Sequence, residues 1–174
     1  MSDNPVRGMD HIGITVADIE AATQFFIDAF GAKVLYDSLP LAGEDNEGTH
    51  NEQVLNLAPG TVVKAVRMLW LRHGPGIELF QMQGPTQREP VRPSDYGLQH
   101  FAVYVEDMPE AITRFERAGG KMFTEPQPLT FAPEKGEGNC FCYGRTPWGS
   151  VIELISTPSP LPYTQHTSLR RWKP

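Results

Sequence analysis

Two histidines and two glutamates occupy positions from which they could bind a metal ion. Glu78 lies inside the apolar run "GIELFQMQG", residues 76–84, and Glu153 lies inside "VIELISTP", residues 151–158. Burying an isolated carboxylate is costly because the charge loses its hydration, so each glutamate needs a partner. His11 and His100 each open another apolar strand-like segment. Two neutral imidazoles and two carboxylates form a mixed ligand set that suits one Zn, Ni, Co, Mn or Fe ion.

An internal repeat explains why the same residue types occur twice. The segment "HIGITVADIEAATQFFIDAFG" (11–31) aligns without gaps on "HFAVYVEDMPEAITRFERAGG" (100–120). Seven of the 21 aligned positions are identical, whereas unrelated segments of ordinary composition would give about one. The two glutamate strands align as well, so the sequence predicts two copies of one module that bring all four candidate ligands to a common axis.

Each copy is predicted to begin with a strand and a helix. Apolar residues alternate with other residues from position 11 to 16 and from 100 to 105, which is typical of a strand with one buried face. Both histidines then lie on the face opposite the apolar one. Asp18 and Asp107 stand where a helix N-cap is expected, and Gly31 and Gly120 are predicted to end the helices.

The spacing predicts where the modules and their connections lie. The first module is expected at 1–84 and contains a long polar loop at 37–60. A proline-containing linker follows at 85–97, the second module at 98–157, and a C-terminal arm at 158–174 that is rich in proline and carries Trp172. We expect this arm to dock as an extended segment.

Composition excludes several classes of protein. The 174-residue chain is 40% hydrophobic and 21% charged, which is ordinary for a globular protein. A net charge of −6 without a basic block argues against a nucleic-acid partner. Apolar runs are too short for a membrane span, and no signal region is visible, so we expect a cytoplasmic protein. Cys140 and Cys142 are expected to be free thiols.

Four short blocks of this sequence resemble motifs of the vicinal oxygen chelate superfamily. "DHIGITVAD", "LQHFAVYVED", "GIELFQ" and "TPWGSVIELIS" are similar to its repeated motifs, and the resemblance covers about residues 8–157. It implies an α+β fold in which two tandem βαβββ modules form a cupped eight-stranded mixed sheet, commonly in a homodimer. Carried over by position, the ligands would be His11, Glu78, His100 and Glu153.

The resemblance also implies a reaction class, of the glyoxalase I or methylmalonyl-CoA epimerase type. Such members chelate a small molecule through two adjacent oxygens and move a proton through an enediolate, with a metal-ligating glutamate as base. Either Glu153 or Glu78 would be that base here. Glyoxalase I proteins usually place a glutathione-binding arginine where this chain has Thr15. Arg67, Arg72, Arg88 and Arg92 could compensate from elsewhere in the chain.

Two alternatives stay open. An extradiol-type dioxygenase would hold Fe(II) with His11, His100 and Glu153, although Glu78 would then compete for an open position. A non-catalytic small-molecule binding protein of the same fold would generally lack the metal ligands that this chain retains. Candidate proton donors near a dioxygenase site are Tyr104, Tyr143, His50 and His73.

Overall fold

The computed structural model describes residue 6 and residues 8–174, and these form two compact units. The first unit comprises the residues up to Thr23 together with Gly31–Gln87, and the second comprises Gln24–Phe30 and Arg88–Pro174. The α+β class expected from the sequence is confirmed. No helix in the described part of the chain is long and apolar enough to cross a membrane.

The first unit is built around a four-stranded mixed sheet. Its strands follow the order β1-β4-β3-β2, with β1 parallel to β4 and the other pairs antiparallel. The segment between β2 and β3, predicted as a long loop, contains a short helix. The elements are β1 (His11–Val16), α1 (Ile19–Phe30), β2 (Lys33–Leu39), α2 (Thr49–Leu55), β3 (Val62–Trp70) and β4 (Gly76–Gln83).

The second unit repeats this strand order. Its five-stranded sheet runs β5-β9-β8-β6, with β5 parallel to β9, and β7 also pairs with β8. The strands therefore belong to two separately hydrogen-bonded sheets, where one eight-stranded sheet was expected. The elements are β5 (Phe101–Tyr104), α3 (Met108–Arg117), β6 (Lys121–Met122), β7 (Gln127–Pro128), β8 (Cys140–Arg145), β9 (Val151–Ser156) and a 3₁₀ turn at Pro162–Gln165.

The strands β6 and β7 are two parts of one interrupted strand. Both pair with β8, at Lys121↔Arg145 and at Gln127↔Phe141. Pro126 lies between them and has no N–H to donate to the ladder, which is a physical reason for the interruption.

The predicted helix starts are confirmed. Asp18 Oδ1 accepts hydrogen bonds from the N–H groups of Glu20 and Ala21, and Asp107 Oδ1 accepts one from Glu110. A carboxylate in this position satisfies N–H groups that have no partner within the helix. Gly31 follows α1 in the left-handed conformation, as predicted. After α3, however, the left-handed residue is Gly119 and not Gly120.

An aromatic cluster fills the core of the second unit. Phe25 contacts the rings of Phe115 and Trp148 at centroid distances of 5.3 and 5.1 Å, both edge to face. Phe26 and Phe115 are completely buried. Residues 24–30 of α1 therefore belong to the second unit through this packing.

Cys140 and Cys142 are free thiols, as expected.

Gly120 lets α3 pack close to the strand that follows it. A Cβ atom at Gly120 would lie 2.2 Å from Cε1 of Phe115, far inside van der Waals contact. We expect Gly120→Ala to lower the free energy of unfolding by about 2 kcal/mol, because a buried ring must shift to make room. Urea denaturation followed by circular dichroism measures this. Gly13→Ala is the control, since its Cβ would meet only Phe80 at 3.7 Å. Equal stability of the two variants would contradict the packing.

Candidate metal-binding and catalytic site

His11 and Glu78 form the first of two histidine–glutamate pairs. Their strands β1 and β4 run parallel, and the register places Gly13 opposite Glu78. His11 and Gly13 lie on the same face of β1, so the imidazole reaches toward the carboxylate. The distance from His11 Nε2 to Glu78 Oε2 is 3.1 Å. Only 20% of the Glu78 side chain is exposed, so the imidazole supplies the partner that a partly buried carboxylate needs.

His100 and Glu153 form the second pair in the same way. The parallel strands β5 and β9 place Ala102 opposite Glu153, two residues beyond His100. His100 Nε2 lies 3.0 Å from Glu153 Oε2. The Glu153 side chain is 11% exposed, and all six residues of β9 are buried. The candidate ligands therefore lie as one histidine–glutamate pair within each unit.

The residue before each histidine orients its ring. Asp10 Oδ2 lies 2.7 Å from His11 Nδ1, and Gln99 Oε1 lies 2.7 Å from His100 Nδ1. Since carboxylate and amide oxygens accept hydrogen bonds, Nδ1 carries the proton in both neutral rings. When Nε2 also carries a proton it donates to the glutamate, and release of that proton leaves a lone pair that a metal can bind. Metal-binding histidines typically have this arrangement, in which one ring nitrogen donates to an oxygen and the other binds the metal.

The donor chemistry of the two pairs fits a divalent metal ion. Each pair offers one imidazole nitrogen and one carboxylate oxygen that already lie within 3.1 Å of each other. Such mixed nitrogen and oxygen sets are the usual ligands of Zn, Mn, Fe, Co and Ni in proteins. The structure brings the four predicted ligands together as two pairs. Among residues 6 and 8–174, no three His, Cys, Asp or Glu side chains form a group that could hold one metal ion.

The environment of Glu153 disfavours its ionised form. Burial raises the pKa of Glu153 above its ordinary value, while the neighbouring His100 and Arg171 charges act in the opposite direction and Glu134 adds to the rise. A carboxyl group whose pKa is raised by burial binds a proton more readily, as a general base or acid must do near neutral pH.

Tyr143 is the aromatic neighbour of the second pair. Its ring packs edge to face against the His100 ring, with the ring centroids 5.0 Å apart. The β8–β9 register places Tyr143 directly opposite Glu153. Burial raises the pKa of the Tyr143 hydroxyl, so this group stays protonated at neutral pH. Of the four proton donors considered from the sequence, Tyr143 is thereby placed beside a predicted ligand. His50 lies in α2 and His73 follows β3.

Arg67, one of the four arginines that could compensate for Thr15, is bound to other side chains. Its guanidinium contacts Glu20 at 2.9 Å and Asp37 at 2.6 Å, and also donates to Thr23. These carboxylates raise its pKa further, so the charge is fixed within a local network. Thr15 itself has a hydroxyl near Met82 Sδ and carries no charge.

Sequence reasoning missed two groups of residues that shape the site. Asp10 and Gln99 were not singled out, although each immediately precedes a candidate ligand and could have been found from that position. The C-terminal arm was expected to dock, but not where. It lies on the second unit, where Trp172 contacts the Tyr104 ring at 6.0 Å. Nothing in its own sequence indicates that surface.

Comparison with known families gives one model match. Residues 10–143 match the model described as "Glyoxalase/Bleomycin resistance protein/Dioxygenase superfamily". This range includes His11, Glu78 and His100, and it is more than three quarters of the chain.

Individual relatives include enzymes. The chain is 32% identical over 169 residues to a 2-epi-5-epi-valiolone epimerase from Actinomyces sp., covering 94% of this chain and 87% of that protein. It is 24% identical over 157 residues to a lactoylglutathione lyase from Arabidopsis thaliana, covering 89% of this chain but 46% of the plant enzyme. A crystal structure of a glyoxalase family protein from Bacillus cereus superimposes with a TM-score of 0.67, at 22% identity, over 90% of this chain and 97% of that one.

The ring-orienting contact of Asp10 can be tested by titration. Its hydrogen bond is the largest influence that raises the pKa of His11, while partial burial lowers it. We expect Asp10→Asn to lower the pKa of His11 in metal-free protein, as measured by NMR of the imidazole protons. Because a raised histidine pKa stabilises the fold below the unfolded value and this is lost as pH rises through the folded value, the variant should lose stability mainly on the acidic side. Asp18→Asn, at the helix start, is the control. An unchanged titration of His11 would contradict the contact.

Proposed function

Because the chain belongs to the glyoxalase/bleomycin resistance protein/dioxygenase superfamily, we propose that it is a divalent-metal-dependent enzyme that epimerises a small hydroxylated ketone. The observation that carries the proposal is the pair of equivalent histidine–glutamate contacts, at 3.1 and 3.0 Å. The proposed substrate class presents two adjacent oxygens, a carbonyl and a neighbouring hydroxyl. The name of the Actinomyces relative supports this class.

We assign the metal to His11, Glu78, His100 and Glu153. Asp10 and Gln99 hold the two imidazole rings by their Nδ1 atoms, so that both Nε2 atoms are available for binding. When bound, the metal supplies Lewis-acid polarisation of a substrate carbonyl, which makes the adjacent C–H bond more acidic. The four groups together carry two negative charges when the glutamates are ionised, which balances a divalent ion.

The two glutamates are the proposed proton carriers. In an epimerisation, a carboxylate removes the proton from the carbon next to the carbonyl, the electron pair of that C–H bond forms a C=C bond, and the carbonyl π pair moves to the oxygen. The carbon is then reprotonated on its opposite face, and the configuration is inverted. One carboxylate can remove the proton while another returns one, so two glutamates meet the requirement of the reaction.

Epimerase chemistry is better supported than lactoylglutathione lyase chemistry. The epimerase relative matches over 87% of its length, whereas the chain spans about half the length of the plant lyase. A glutathione substrate carries carboxylates that are best bound by a free arginine. Thr15 carries no charge, and Arg67 is already paired with Glu20 and Asp37. A neutral hydroxylated ketone has no carboxylate and does not need an arginine to bind one.

We further propose that the active form is a homodimer. Most soluble oligomers are symmetric dimers, and superfamily members commonly form them. Each pair supplies two ligands, and a complete site needs both pairs. They can come from one chain or from two copies, and the two arrangements make different predictions for mixed variants.

Metal content and proton exchange test the reaction together. We expect purified, untagged protein to contain about one divalent metal per site and to exchange the proton next to the carbonyl of 2-epi-5-epi-valiolone in D₂O, as followed by NMR. Replacing a general base typically costs 10²–10⁴-fold, so Glu153→Gln or Glu78→Gln should slow exchange by about that factor. The variant that keeps metal but loses exchange identifies the base.

Glu116→Gln is the matched control, because Glu116 is exposed on α3 in the second unit. It should retain both metal and exchange. Iron-dependent consumption of oxygen with a catechol, in place of exchange, would contradict the epimerase proposal and favour the dioxygenase alternative. Metal-free protein that binds the ketone without exchange, even after reloading, would indicate a binding protein.

Mixing two inactive variants tests whether the site is formed between copies. If Glu78 and Glu153 of one site come from different chains, an equal mixture of Glu78→Gln and Glu153→Gln chains regains about a quarter of the active sites, because half of the randomly formed dimers are mixed and each has one intact site. If both glutamates come from one chain, no activity returns. Exchange is measured after the mixture has been unfolded and refolded together, with each variant refolded alone as control.

A further inference from the structure

The C-terminal arm lies over the same sheet face as Glu153. The register of β5, β9 and β8 places Ala102 and Tyr143 on either side of Glu153. Tyr104 is two residues beyond Ala102 and is therefore on the same face. The ring centroids of the arm residue Trp172 and of Tyr104 are 6.0 Å apart. The Arg171 Cζ atom lies 5.9 Å from the centroid of the Tyr104 ring.

Several hydrogen bonds fix the arm in this place. The Arg171 backbone N–H donates to Tyr163 Oη at 2.7 Å, and the Lys173 ammonium donates to the Thr157 carbonyl at 2.7 Å. Arg171 Nη1 donates to Glu134 at 2.9 Å. Two of these anchors lie outside the arm, in the loop before β8 and immediately after β9, and the third joins the arm to its own 3₁₀ turn. A segment held at so many points keeps its side chains in defined positions, which a binding surface requires.

Arg171 has donors to spare. Among the described residues, the side-chain hydrogen bond of Arg171 is made through Nη1, and no described residue accepts from its Nε or Nη2. Because Glu134 balances the Arg171 charge at 2.9 Å, the pair offers hydrogen-bond donors with little net charge. This suits neutral hydroxyl groups better than a phosphate or carboxylate.

Trp172 supplies an apolar surface beside these donors. The residue is 53% exposed although its ring contacts Tyr104. Part of the ring surface is therefore free to contact a ligand. Aromatic side chains combine a rigid apolar face with a polar edge. The C–H face of a hydroxylated ring can pack on such a surface while its hydroxyls reach donors at the side.

We propose that Arg171 and Trp172 are specificity-determining residues that bind a neutral, ring-shaped polyhydroxylated substrate next to Glu153. This inference rests on the proposed function for the chemistry at Glu153, but it assigns substrate binding to the arm. Binding and proton exchange are separate measurements, so each can fail without the other.

The test compares arm variants of the full-length, metal-loaded protein. Binding of the cyclic hydroxyketone used above is measured by calorimetric titration, and KM and kcat by proton exchange. We expect Arg171→Gln and Trp172→Ala to raise both Kd and KM about tenfold or more, with a smaller change in kcat, since they remove contacts made by bound substrate. Trp172→Phe should restore much of the affinity. Arg170→Gln is the matched control, because Arg170 bonds only to the Thr167 and Leu169 carbonyls among the described residues.

Each remaining outcome is decisive. Unchanged Kd in both Arg171→Gln and Trp172→Ala, with melting temperatures equal to the parent, would overturn the role of the arm. Failure of the parent protein to bind the ketone, or competition by inorganic phosphate at similar concentration, would overturn the ligand class. Binding that depends on the arm but is not followed by proton exchange would support this inference and overturn the proposed epimerisation.

Discussion

The structure depends on how two partly or fully buried carboxylates are accommodated within the strands β4 and β9. Glu78 and Glu153 each lie between apolar neighbours in a strand, and each is within about 3 Å of one imidazole. An ionised carboxylate at such a site is tolerated only with a partner. The parallel pairing of the first and last strand of each sheet provides that partner, because it places the beginning of one strand beside the middle of the other.

The same pairing accounts for the layout of each unit. Parallel strands cannot be joined by a tight turn, so the chain must pass through a helix and further strands before the last strand returns beside the first. α1 and α3 are the helices of these connections, and both begin at an aspartate that satisfies free N–H groups. In β1 the apolar face packs inward through Ile14 and Val16, while in both first strands the opposite face carries the histidine. In each unit, the parallel pairing of the first and last strands therefore determines both the fold and the position of the candidate ligands.

The two pairs are alike in geometry but differ in their surroundings. Asp10 gives His11 a charged neighbour, whereas Gln99 gives His100 a neutral one. Glu153 is more deeply buried than Glu78 and has Tyr143, Arg171 and Glu134 around it. Such asymmetry suits a site in which equivalent ligands have different tasks. It is consistent with our proposal that the second unit contributes both a proton carrier and the substrate-binding arm.

The sequence by itself determined the repeat, the helix starts at Asp18 and Asp107, and the equivalent positions of one histidine and one glutamate in each copy. These features depend on local chemistry and on strand periodicity, which short segments specify. The tertiary structure decided what depends on distant packing. The strands are divided between two sheets. The left-handed residue after α3 is Gly119, where Gly120 was predicted. The tertiary structure also assigned residues 24–30 of α1 to the aromatic core of the second unit. The arm was placed on Tyr104 because its anchors, Glu134, Thr157 and Tyr163, meet only after the chain has folded.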